Sequence, residues 1–313
     1  MGRLAHRRGG QPRDGARRAV AGDQLARDDE RRHARRRTLA APGLLPVLPR
    51  RPAAPRAARR QPAADPPPHR VGRRGAGSGR GGGGDDATTF DRLGVRDWAA
   101  GLPLIVVMPD GGFAGWYSDP VGSHTGPHDW ESFHVGQLIP WVDATFRTHA
   151  GADGRAVSGF SMGGFGALKY ADRHPGLFSS VSSHSGPADR RRDHRIVGHW
   201  ADVSSATELG GATVYGVPLW DERRVSADNP VEHVASYRGK RVFLVVGTNG
   251  DAVPWFSAVQ EQHVRNGHRG FRSLLNAAGI PHVAYEEPGG HVLRHPRVRQ
   301  DPAGITAHLR PAA

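Results

Sequence analysis

From Phe90 onward the chain alternates between two hydrophobic rhythms. Residues 103–108 form a short apolar run, the kind that a parallel strand buried on both faces requires. Over 129–147, Phe133, Leu138, Trp141, Val142 and Phe146 fall at helical spacing, and Pro140 predicts a kink or a split there. Strands are predicted at 155–160, 177–183, 240–247 and 281–285. A helix is predicted at 163–174. Another runs through Val259, Val264, Phe271, Leu274 and Leu275, with a break near Gly267 and Gly270. This alternation predicts an α/β fold, with a mostly parallel sheet and helices on both faces. Residues 185–235 show little sustained periodicity. They read either as a cap-like insertion over the edge that carries the chemistry or as a solvated connector.

Before Phe90 there is no such rhythm, and composition explains why. The 313-residue chain has a net charge of +13, and residues 1–80 account for all of it with 21 Lys+Arg against 6 Asp+Glu. That stretch holds 10 of the 25 prolines and no aromatic residue. It cannot bury enough apolar surface to offset its chain entropy and is expected to be disordered, leaving residues 81–313 as the folded domain. Clusters such as Arg35-Arg36-Arg37 would suit phosphates. The lack of interleaved aromatics and of any binding module argues against nucleic acid as a partner. No continuous apolar segment follows the early arginines as in an export signal. Ala, Arg, Gly and Pro are also what GC-rich codons spell in any frame, so an over-extended start or a shifted reading frame fits the same composition. With no cysteine, a disulfide scaffold and a thiol nucleophile are excluded. No run approaches 18 apolar residues, the length of a membrane span.

Gly159-Phe160-Ser161-Met162-Gly163 is G-x-S-x-G between a predicted strand and a predicted helix. That context turns a frequent pattern into a strained strand-to-helix turn that projects a serine hydroxyl above the sheet. Ser161 is the candidate nucleophile. The helix N-terminus offers the Met162 N–H beside the reacting carbonyl. A serine needs a base, and in this fold the chain order is Ser, then Asp or Glu, then His. Asp251, directly after the strand at 240–247, is the candidate acid, and His291 in Pro288-Gly289-Gly290-His291 is the candidate base. His282 and His295 are weaker alternatives. His291 and His295 are spaced i, i+4, but no HExxH or third ligand supports a metal, and no cofactor is expected.

Residues 86–291 resemble the putative-esterase family of the α/β-hydrolases, which includes esterase D and the mycolyltransferase antigens. The resemblance is carried by Ile105 to Gly112, Trp116-Tyr117-Ser118-Asp119, Trp130-Glu131-Ser132-Phe133, Gly159 to Gly164, and Gly290-His291. It implies an acyl-serine intermediate, a small-molecule or lipid acyl ester as substrate, and either hydrolysis or acyl transfer to an alcohol. It also implies a second oxyanion donor in a glycine-rich turn, matched here by Gly82 in Arg80-Gly81-Gly82-Gly83-Gly84. Two features depart from the family. No apolar strand leads into that glycine turn. After His291, where the family is aromatic-rich, this chain reads Val292-Leu293-Arg294-His295-Pro296.

Overall fold

The computed structural model describes residues 94–249 and 254–310, together with the backbone of one strand at Leu45–Pro49. In chain order the strands are β1 (Leu45–Pro49), β2 (Leu104–Val106), β3 (Ala156–Phe160), β4 (Ser180–His184), β5 (Arg241–Gly247) and β6 (Val283–Glu287). They form one sheet in the order β2-β1-β3-β4-β5-β6. Strands β3 to β6 are parallel, whereas β1 pairs antiparallel with both β2 and β3. Strand β1 therefore lies within the stretch expected to be disordered. Its two prolines carry no N–H, which hides a strand pattern from a reading of periodicity.

The helices are α1 (Val95–Ala99), α2 (Trp130–Phe133), α3 (Ile139–Thr145), α4 (Met162–Arg173), α5 (Arg192–Glu208), α6 (Glu222–Ala227), α7 (Trp255–Ala277) and α8 (His295–His308). Over 129–147 the chain stays helical: α2 passes into α3 through a π-helical turn, His134–Leu138, with right-handed helical backbone at both junctions. Pro140 stands just after that wider turn, so the proline, which removes a backbone donor, is met by a bulge rather than by a split.

Side chains alternate across a strand, so β3 supplies both faces of the sheet. Val157 joins Val181, Val242 and Leu244 in a large core with Phe165 and Leu168 of α4 and Phe271 and Leu275 of α7. Ala156 points the other way, into a smaller core with Val95 of α1, Leu104 of β2, and Val298 and Ile305 of α8. Helices cover both faces, the layering that an α/β sequence pattern requires.

Two expectations are corrected. Helix α7 runs 23 residues without interruption. Two interior glycines cost a helix about 1 kcal/mol each. Burying Val264, Phe271 and Leu275 returns roughly 1.5–3 kcal/mol apiece, so packing wins over propensity. Residues 185–235 also hold more helix than their pattern implies, in α6 and in α5, whose first turn is interrupted by left-handed backbone at Asp193, His194 and Arg195. Their stripe is hard to read because a charged residue takes the central core position. Arg190 is fully buried, with its guanidinium stacked 3.5 Å from the Phe165 ring centroid and 4.3 Å from that of Trp116. A second buried cation, Lys169, fastens α4 to the same region through Asp228 at 3.0 Å and to α2 through Glu131 at 2.9 Å.

Candidate active site

Ser161 sits between β3 and α4 with φ 55° and ψ −120°, a conformation that L-residues avoid. The turn survives because its surroundings overdetermine it. The Ser161 N–H donates to the His184 carbonyl at 2.8 Å, and the Ser161 carbonyl accepts the Phe165 N–H at 3.0 Å. A Cβ at Gly159 would run into the Gly163 carbonyl, so only glycine closes the turn. Met162 is the first residue of α4, and its N–H therefore has no intrahelical acceptor. Its sulfur accepts the Trp116 N–H at 3.3 Å, tying the turn to the Trp116 loop.

His291 lies on the loop after β6. Its backbone N–H donates to the Ser257 hydroxyl at 2.8 Å, and its ring packs on Phe160 with centroids 5.2 Å apart. Nε2 is 2.6 Å from Ser161 Oγ. Nδ1 is 2.7 Å from Oε2 of Glu261, a carboxylate on α7 that is fully buried. Asp251, the candidate acid, lies outside the described residues, and Glu261 is not among the residues expected from the chain order. The structure puts Glu261 at the atom where the acid was expected. The reason is geometric: the buried stripe of α7 is Ser257, Glu261, Val264, His268, Phe271 and Leu275, and it carries Glu261 back over the end of β5. A carboxylate in an otherwise inward-facing stripe was the available signal, since such a group is not buried without partners.

Those partners are present. Glu261 Oε1 accepts the Ser185 hydroxyl at 2.7 Å and the Gly247 N–H. Burial works against its charged form, but the hydrogen bonds from His291, Ser185 and Gly247 hold the carboxyl below its ordinary value. An ionised carboxylate only accepts. The Nδ1 of His291 must therefore carry its proton, which leaves Nε2 free to accept from the serine hydroxyl. The arrangement can deprotonate Ser161 and stabilise an imidazolium.

Gly82 lies outside the described residues. The alternative histidines stand elsewhere: His282 Nδ1 is 3.1 Å from the Ile280 carbonyl, and His295 packs edge-on against Trp98.

Comparison with known proteins agrees with the fold. Residues 85–296 match the family model described as "Putative esterase". The chain is 62% identical over 229 residues to Esterase Rv1288 of Mycobacterium tuberculosis, covering 73% of this chain and 50% of that protein; it thus spans about half the length of this curated relative. Over 88 residues it is 39% identical to the diacylglycerol acyltransferase/mycolyltransferase Ag85B of Mycolicibacterium smegmatis, covering 26% of each. Among solved structures, Mycobacterium tuberculosis MPT51 (FbpC1) superposes with a TM-score of 0.56 at 19% identity, over 71% of this chain and 84% of that one, a likeness of fold alone. With two-thirds of its length matched by the family model, an α/β sheet, and a serine on the strand-to-helix turn, the chain belongs to the putative-esterase family of α/β-hydrolases.

Proposed function

We propose that the protein is a serine ester hydrolase in which Ser161 is the nucleophile, His291 the general base and Glu261 the acid that orients it. The observation that carries this reading is the unbroken relay from Ser161 Oγ to His291 Nε2 at 2.6 Å and from His291 Nδ1 to Glu261 at 2.7 Å. Ser161 Oγ attacks the ester carbonyl while its proton passes to Nε2. The Met162 N–H, with Gly82 as the proposed second donor, holds the oxyanion. The imidazolium returns the proton to the leaving alkoxide as the carbon–oxygen bond breaks. Water, deprotonated by the same nitrogen, then releases the acid and frees Ser161. Two exposed apolar residues stand next in the chain to residues of the site: Val292, 41% exposed, follows His291, and Phe256, 50% exposed, precedes the Ser257 that holds the His291 backbone. Both suit the apolar part of an acyl ester.

The test is hydrolysis of p-nitrophenyl butyrate by the full chain and by Ser161→Ala, with intact mass taken during turnover. The reading expects a transient butyryl adduct on the parent alone and a rate at least 10³-fold lower in the variant. Equal rates would exclude Ser161 as nucleophile. The mycolyltransferase-like segment favours a second fate for the same acyl-enzyme, transfer to an alcohol. Adding an alcohol acceptor and analysing products separates the two, because transfer yields a new ester while total p-nitrophenol release reports acylation in both.

A further inference from the structure

Arg294 occupies the position where the chain departs from the aromatic-rich family pattern, at the N-terminal boundary of α8. Its side chain is not a surface group: the residue is 7% exposed. The guanidinium reaches into the space under the His291 loop. Nη1 donates to the Val292 carbonyl at 2.7 Å and to the Ser185 hydroxyl at 3.2 Å. Nη2 donates to the carbonyls of Gly290 at 3.0 Å and Gly289 at 3.2 Å. Nη1 also lies 3.7 Å from Glu261 Oε1. One rigid plane thus holds backbone carbonyls on both sides of His291, together with the serine that anchors the carboxylate. The strand below is shaped for it: a Cβ on Gly247 would meet Arg294 Nη2 and the Gly289 carbonyl, so β5 ends in a residue that leaves the guanidinium room.

Burying a cation is expensive unless it is paired and hydrogen-bonded, and here every acceptor belongs to the His291 loop or to the support of Glu261. We infer that Arg294 is a positioning residue for the reaction: it fixes the His291 loop relative to Glu261 so that Nε2 faces Ser161 Oγ. The inference rests on reading Ser161, His291 and Glu261 as the catalytic relay. A planar fork is required, since a lysine ammonium is a single point of donors and cannot span the Gly289, Gly290 and Val292 carbonyls together. A misplacement on the order of 1 Å at a reacting group costs about 10²-fold in rate.

The experiment follows covalent labelling of the full chain by a fluorophosphonate probe, with intact mass over time, for the parent, Arg294→Lys, Arg294→Met and Ser161→Ala. Arg294→Lys and Arg294→Met are expected to reach the parent's final stoichiometry with rate constants roughly 10- to 100-fold lower. Their kcat for p-nitrophenyl butyrate should fall by a similar factor, with KM within about threefold, because Arg294 touches no substrate. A smaller labelled fraction reacting at the parent's rate would show a role in folding alone and overturn the inference, as would parent-like kinetics in both variants. Should Arg294→Met not accumulate as folded protein, Arg294→Lys decides on the same criterion. Labelling of Ser161→Ala at the parent's rate would instead overturn the catalytic reading on which the inference rests.

Discussion

Ser161 is held at φ 55°, a conformation worth about 1–3 kcal/mol of strain, and the absence of a side chain at Gly159 is the local condition for it. Gly159→Ala should therefore destabilise the chain by roughly 1–3 kcal/mol, because the added methyl meets backbone rather than a movable side chain. Urea unfolding checks this; an unchanged midpoint would mean the turn relaxes freely. Glu261 illustrates the opposite strategy, a charge accepted into the interior because each oxygen has donors. Its carboxyl lies below the ordinary value once burial is offset by His291, Ser185 and Gly247. The stability it contributes is present above the unfolded carboxylate value and lost as pH falls through the folded one.

At the scale of elements, α7 decides most. It carries Glu261, supplies Ser257 to the His291 backbone, and buries Phe271 in the main core. Phe271→Ala should cost about 3–5 kcal/mol, read as a lower urea midpoint. Gly270→Ala should do the reverse and stabilise by about 0.5–1 kcal/mol. Its Cβ would meet only the far end of Arg192, and the helix is continuous there. Destabilisation by Gly270→Ala would instead indicate the break that the two glycines suggest by propensity. The parts legible in the sequence were those where pattern and turn chemistry agree: β3, the turn at Ser161, α4, β5, and His291 on a late loop. Strand β4 lies a few residues later than its pattern predicts because one of its two buried faces is Ser180, Ser182 and His184 rather than aliphatic, with Ser182 and His184 both against Asp301 from α8. Glu261 was missed because the order Ser, acid, His says where the acid falls in the chain but not how far past the strand. A helix places it 14 residues beyond Gly247, as close as a loop residue would be.

For the whole molecule, the sheet gathers a relay whose serine and histidine are 130 residues apart, and the fold buries further histidines outside that relay. Burial pushes His134 and His268 down to about 4. Between about pH 6.5 and 4 the unfolded chain binds protons that the native state refuses, so stability falls as pH falls through that window, by up to about 1.4 kcal/mol per pH unit for each histidine. Urea midpoints from pH 7 to 5 should decline, and His268→Gln should flatten the slope; a pH-independent midpoint would contradict this. In the folded chain the relay is completed by a carboxylate from α7. The most direct measurement is kcat/KM for p-nitrophenyl butyrate in Glu261→Gln and Asp251→Asn beside the parent. Glu261→Gln is expected to lose about 10²–10⁴-fold, as when a relay loses its orienting acid, and Asp251→Asn to change by no more than about threefold. A large loss in Asp251→Asn with Glu261→Gln near the parent would place the acid after β5 and not on α7.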